Sequence, residues 1–239
     1  PDGGDYDMND VVIVSRIDRM MSKDGGKVSA LTINWELRAA GTTYDIAGAV
    51  QMDKVQTSDV AGVVSSHEGF GSGAFASRGL DADSPCAVIP FFNRTEELLS
   101  ASNTWKGQPA AAIRKHTTTV TFSQPVDIAS VLDSEMNFFI APKQRTSEIH
   151  MPGYAPTASG IIGKGSFLPS DPYKFFVTEG DQTKNNYMMW ALMIPGEFRY
   201  PAERNDIRGV YEYFMTWASS NGTEHTEWYR ESADADKIY

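Results

Sequence analysis

The stretch "KVSALTINWELRAA", residues 27–40 of this 239-residue chain, constrains the fold more than any other. Apolar and polar residues alternate strictly from Leu31 to Arg38, so the apolar side chains share one side of an extended segment. Side chains of a β-strand point to opposite faces in turn, and this period of two predicts a strand with one buried and one hydrated face.

Other segments have the same character. "DGG" at residues 24–26 is a hairpin signal, and further strands are predicted in "VVIVSRIDRM", "TTYDIAGAVQM", "AVIPFFN", "TTTVTFSQPVDI" and "MNFFIAPKQ". The Gly- and Ser-rich residues 65–84 predict a long surface loop. We expect one mainly antiparallel, jelly-roll-like β-sandwich spanning residues 1–239.

One late segment predicts a helix. In "NDIRGVYEYFMTWASSNG", residues 205–222, apolar side chains recur every three or four positions and fall on one helical face. Asp206 is a suitable N-cap, and Gly222 stands just beyond the expected end. The sequence therefore predicts one amphipathic α-helix packed against the sheet.

Charge and composition exclude several classes of partner. The formal charge is −10, from 31 acidic and 21 basic residues, with no Lys or Arg run to follow a phosphate backbone. Nucleic acid and anionic membranes are therefore poor partners, and no apolar run is long enough for a membrane span. Cys86 is the single cysteine, so it has no intrachain disulfide partner and is read as a small buried hydrophobe.

The opening "PDGGDYDMND" concentrates acidic residues in one loop. Asp5, Asp7 and Asn9 are spaced two apart, with Asp2 and Asp10 beside them. Calcium takes six to eight oxygen ligands, which a curled loop of this composition can supply. The segment is not an EF-hand, because the sixth and twelfth positions lack the Gly and Glu that such a loop needs. A calcium site is the first interpretation, and ordinary turn formation by Asp and Asn is the alternative.

Four segments together resemble the LruC domain, a family of exported bacterial proteins that is frequent among Bacteroidetes. They are "GDYDMNDVVI", "EIHMPGYAPT", "NNYMMWALMIPGEFRYPAE" and "YEYFMTWASSNGTEHTEWY". The resemblance implies a secreted or surface-anchored protein, often a lipoprotein, with this domain in its C-terminal part. It also favours Asp5, Asp7, Asn9 and Asp10 as calcium ligands, and it implies no catalytic residues.

The residues themselves predict no catalysis. The four histidines lie far apart, and the chain contains neither a G-x-S-x-G elbow nor a P-loop. His150 has two interpretations, a ligand contact or a residue hydrogen-bonded within a Pro-rich loop. Trp228 and Tyr229 are either a sugar-stacking platform or packing over the helix end.

The expected function is therefore non-catalytic: a surface module that binds calcium and a glycan or surface partner, or a purely structural or adhesive module. A glycan-active hydrolase is the remaining alternative, because the plentiful carboxylates could form a catalytic pair in space, although nothing in the sequence selects one. Exposed aromatic side chains close to residues 5–10 would favour ligand binding.

Overall fold

The fold is described by a computed structural model for residues 5–23, 25–162 and 189–239. Its strands are β1 (Val12–Met21), β2 (Lys27–Ala39), β3 (Ile46–Gln56), β4 (Val60–Ser65), β5 (Cys86–Phe92), β6 (His116–Asp127), β7 (Met136–Pro142), β8 (Ser147–His150) and β9 (Ile161–Ile162). The two helices are α1 (Ile207–Val210) and α2 (Phe214–Ser219). The protein is mainly β, as the sequence predicts.

Two sheets build the sandwich. One has the strand order β1-β2-β6-β4, and the other has the order β5-β3-β7-β8-β9. All pairs are antiparallel except the short β8–β9 pair, which is parallel. Ile17 of β1 lies opposite Ile33 of β2, and this register fixes which side chains of the first hairpin face inward.

The alternating apolar residues of β2 are buried, as predicted. Leu31, Ile33, Trp35 and Leu37 are all buried in the main core. They pack there with apolar side chains of β3, β5, β6 and β7 from both sheets. The period of two in the sequence therefore sets the inner face of the sandwich.

The single late helix was a wrong prediction. The segment forms two short helices, because Tyr211 between them is extended (φ −113°, ψ 113°) and makes a β-bridge with Ala233. A residue in such a bridge does not continue a helical hydrogen-bond ladder. The two boundary signals are nevertheless correct: Asp206 accepts a bond from the Arg208 amide, and Gly222 (φ 81°) closes onto the Trp217 carbonyl.

The helices also do not pack on the sheet as expected. Their apolar side chains join residues of the C-terminal loops in a separate core, which we call the C-terminal core. Its buried members are Met189, Ile207, Val210, Tyr211, Phe214, Ala218, Trp228, Tyr229 and Ile238. The last part of the chain folds back over the helices, and its aromatic residues cover the helical face that the sheet was expected to cover. Among the described residues, no helix is long and apolar enough to span a bilayer.

The Gly-rich segment is a loop without regular strands, as predicted, but it is anchored. Buried Asn93, just after β5, accepts a bond from the Phe75 amide and donates to the carbonyls of Gly71 and Phe75. Cys86 is half-buried, not fully buried as expected.

Candidate metal centre

The opening loop uses alternate residues for two surfaces. Tyr6 and Met8 both adopt left-handed backbone conformations (φ 54° and 55°), which curl the chain tightly. Their side chains pack against the C-terminal core, and the Tyr6 carbonyl accepts the Ile207 amide at 3.0 Å. The polar residues that alternate with Tyr6 and Met8 do not join this core and lie in a different environment.

That environment is a group of acidic oxygens from both ends of the chain. Asp5, Asp7 and Glu203 each place a carboxylate oxygen within 4.8 Å of those of the other two. Asp7 is 3% exposed, and its carboxylate accepts the Arg204 amide at 2.9 Å and the Asn9 amide at 3.4 Å. The loop is thus tied to the segment that carries Glu203.

Two further oxygens at this place have no donor. Asn9 is 0% exposed, and its Nδ2 donates to the Pro201 carbonyl at 3.1 Å, which fixes the orientation of the amide. Its Oδ1 and the Oε2 of Glu203 are buried without a hydrogen-bond partner. An unsatisfied buried acceptor costs about 1–3 kcal/mol, so two in one place need an explanation.

Gly41, after β2, shows that these two oxygens flank the same space. A Cβ at Gly41 would stand 3.1 Å from Glu203 Oε2 and far inside van der Waals contact with Asn9 Oδ1. The Gly41 amide also donates to the Asn9 carbonyl at 3.1 Å. Glycine is the residue that leaves this space open.

The local electrostatics are unbalanced. Burial raises the pKa of Asp7 from 3.8 to about 6, and the charges of Asp5 and Glu203 act in the same direction. Desolvation, followed by the same two charges, also raises the pKa of Asp10. No basic side chain among the described residues forms an ion pair with Asp5, Asp7 or Glu203.

The donor set fits a hard divalent cation. All candidate donors are carboxylate or amide oxygens, which calcium prefers, and calcium–oxygen distances of about 2.3–2.6 Å allow ligand oxygens to lie up to about 5 Å apart. The three carboxylates meet that spacing without rearrangement. The buried, unpartnered Asn9 Oδ1, which flanks Gly41 together with Glu203 Oε2, is a neutral oxygen that can act as a fourth donor.

The structure distributes the predicted site residues unevenly. It brings Asp5 and Asp7 together, and it places the Oδ1 of Asn9 next to Gly41, which also faces Glu203 Oε2. Asp10 is exposed and lies outside the group of three carboxylates. Asp2 lies outside the described residues.

The three predicted ligand contacts, His150, Trp228 and Tyr229, are all buried, so none presents a surface for stacking on a sugar. His150 lies between Asn137 Oδ1 (2.7 Å) and Glu148 Oε2 (2.8 Å), and burial lowers its pKa to about 4. Trp228 is at the centre of the C-terminal core, and the Tyr229 hydroxyl donates to the Pro195 carbonyl.

Sequence reasoning missed Glu203 and Gly41. Glu203 is the last residue of the segment "NNYMMWALMIPGEFRYPAE", so the family resemblance marked its neighbourhood, but no local spacing links it to Asp7. Trp105 was missed as well. It is 44% exposed, and the Arg204 guanidinium stacks 5.2 Å from its ring centre.

Comparison with known proteins defines the family and the fold. A crystal structure of a "putative lipoprotein" from Bacteroides ovatus superposes with a TM-score of 0.67 at 18% identity, over 98% of this chain and 70% of that one. No curated protein matches the sequence. The family described as "Domain of unknown function (DUF4842)" matches residues 26–229. The Bacteroides neighbour agrees with the Bacteroidetes link that the sequence resemblance implies, although the family model that matches does not carry the LruC name. The chain belongs to the DUF4842 family.

Proposed function

We propose that this protein is a non-catalytic, calcium-binding module of an exported bacterial surface protein. The observation that carries the proposal is the pair of buried, donor-free oxygens of Asn9 and Glu203 beside the carboxylates of Asp5 and Asp7. A divalent cation supplies the positive charge that this arrangement lacks.

The proposed role of calcium is to join two parts of the fold. Asp5, Asp7 and Asn9 lead directly into β1 of the sandwich, whereas Glu203 precedes α1 and the C-terminal core. The Glu203 amide also donates to the Thr104 carbonyl at 2.9 Å, in the loop between β5 and β6. A cation held by both groups fixes the C-terminal core against the sandwich.

Export is supported by the Bacteroides ovatus neighbour, which is described as a "putative lipoprotein". A low-calcium cytoplasm would leave such a site largely empty, whereas extracellular calcium modules work with dissociation constants of about 10⁻⁴ to 10⁻³ M. The proposed site therefore suits a protein exposed at the cell surface.

Isothermal titration calorimetry of the metal-free protein with calcium tests the proposal. We expect one site in the wild type and loss of binding in Glu203→Gln, which keeps the size of the side chain. Glu224→Gln is the matched control, since Glu224 is exposed and outside the acidic group. Equal calcium binding by both variants would overturn the assignment.

A glycan is the second candidate ligand, favoured by Trp105. Its exposed indole and the stacked Arg204 offer a flat apolar surface with adjacent donors, the features that bind a sugar ring. The Arg204 amide holds Asp7, so this platform is linked to the cation site through one residue. The alternative is a purely structural or adhesive module.

A glycan array with and without calcium, using wild type and Trp105→Ala, separates these functions. Binding that requires both calcium and Trp105 supports the glycan candidate. Absence of binding in a correctly folded, calcium-loaded protein leaves the structural role.

A further inference from the structure

A second group of metal-ligating side chains lies in the sandwich, away from the opening loop. His67 follows β4, and Glu97 follows β5 in the short 3₁₀ turn Thr95–Glu97. His67 is 7% exposed, and the Glu97 side chain is 15% exposed. The two atoms that face each other, His67 Nε2 and Glu97 Oε2, are 3.5 Å apart, and both are buried without a hydrogen-bond partner.

This spacing is unusual for a histidine and a carboxylate. A charge-assisted hydrogen bond between them would be about 2.7–2.9 Å long, so 3.5 Å leaves both atoms unsatisfied. Ligands of a tetrahedral zinc ion, at about 2.0–2.2 Å from the metal, stand about 3.3–3.6 Å apart. The observed separation of 3.5 Å lies within this range.

The rest of the surroundings supports a metal. The Gly71 amide holds the other Glu97 oxygen, Oε1, at 2.8 Å, and this leaves Oε2 turned towards His67. Gly69 lies against the pair: a Cβ at this position would stand 3.2 Å from His67 Cε1, 3.5 Å from His67 Nε2 and 4.0 Å from Glu97 Oε2.

His116, the first residue of β6, is the candidate third ligand. Its ring centre lies 5.1 Å from that of His67 at an interplanar angle of 73°. Two imidazoles on one tetrahedral zinc have ring centres about 5.2 Å apart. The His116 ring stacks on Trp35. The three ligand atoms do not all lie within 4.8 Å of one another, so the His116 ring must turn before all three can bind one metal ion.

We propose that His67, Glu97 and His116 form a zinc-class transition-metal site that ties the Gly-rich loop to the ends of β5 and β6. The site is independent of the calcium proposal, since it uses other residues and nitrogen donors, which zinc accepts and calcium does not favour.

The test is a titration of the full chain with cobalt(II) and zinc in saturating calcium, which removes weak binding at the acidic loop. We expect a visible cobalt absorption band of a tetrahedral site that zinc abolishes. His67→Gln and Glu97→Gln should each weaken zinc binding at least about tenfold. His225→Gln is the matched control, because His225 also contacts a carboxylate, Glu231 Oε2 at 3.0 Å, but at a half-exposed place.

A second readout does not depend on the variants folding. In the wild type, zinc should shift the imidazole NMR signals of two of the four histidines, His67 and His116. Loss of one of the two shifted signals in His116→Gln would identify His116 as the second histidine ligand. An absence of saturable zinc binding to the wild type would overturn the site. Equal weakening by His67→Gln and His225→Gln would overturn it as well.

Discussion

Replacing Asp7 by Asn distinguishes a calcium ligand from a turn residue, because it removes one charge and preserves shape. In chelator, burial raises the pKa of Asp7 from 3.8 to about 6, and this shift corresponds to about 3 kcal/mol of destabilisation at pH 7. The amide has one acceptor oxygen for the two amides that the carboxylate now binds, and the lost bond costs about 1–3 kcal/mol. The calcium-free variant should therefore be as stable as the wild type or up to about 2 kcal/mol more stable.

The sign of the pH dependence follows from the raised pKa. The folded state binds more protons than the unfolded state between pH 3.8 and about 6. Below this range Asp7 is protonated in both states and does not lower the free energy of unfolding, whereas above it the buried charge destabilises the folded state by the full amount. In chelator, the wild type should lose stability as the pH rises through this range. The Asp7→Asn variant should lack this loss.

Calcium should reverse the order of the two proteins. A ligand that binds only the native state adds about 2.7 kcal/mol at a hundredfold excess over its dissociation constant. Urea unfolding followed by tryptophan fluorescence, at pH 7 with calcium or chelator, measures both states. Stabilisation of Asp7→Asn by calcium to the same extent as the wild type would refute the assignment of Asp7 as a ligand.

Three further changes test the C-terminal core, the cation site and the Gly-rich loop. Trp228→Ala should cost about 3–5 kcal/mol in urea unfolding, because this ring is 2% exposed at the centre of the C-terminal core. Gly41→Ala should lower calcium affinity at least about tenfold in calorimetry, because the new Cβ displaces Asn9 Oδ1 without changing any charge. Asn93→Ala should cost about 2–3 kcal/mol and increase hydrogen exchange in residues 71–75, since it removes three loop hydrogen bonds.

Each of these changes has a control. Trp105→Ala removes an exposed ring and should cost less than about 1 kcal/mol. An equally small loss of stability in Trp228→Ala would contradict the burial of Trp228 at the centre of the C-terminal core. Gly62→Ala meets no atom within 4 Å and should leave calcium binding unchanged. If Gly41→Ala behaves as Gly62→Ala does, Asn9 Oδ1 does not face the cation. Unchanged exchange in Asn93→Ala would show that other contacts hold the loop.

Local pattern predicted most of the sandwich because its strands are amphipathic by themselves. The alternation from Leu31 to Leu37 needs only one buried face to be correct, and that face forms the main core. β4 was missed because Val60, Gly62 and Val64 lie at a sheet edge, where packing imposes little periodicity. The helix prediction failed at Tyr211, because its bridge partner Ala233 is distant in sequence and overrides local propensity.

The candidate site was predictable only in its local half. Asp5, Asp7 and Asn9 share a spacing that a reader of the sequence recognises, whereas Glu203 reaches them through tertiary structure. The same limit applies to Trp228 and Tyr229. Their polar neighbours left both a sugar-stacking platform and packing over the helix end open, and only the tertiary structure shows that both residues are buried in the C-terminal core.

A crystal structure of the protein grown in calcium, with an anomalous difference map, shows directly whether the oxygens of the opening loop and Glu203 hold a calcium ion. We expect one strong peak about 2.3–2.6 Å from carboxylate oxygens of Asp5, Asp7 and Glu203 and from Asn9 Oδ1. A map without a peak at this position under saturating calcium, with Asn9 Oδ1 and Glu203 Oε2 bonded instead to donors of the protein, would contradict it.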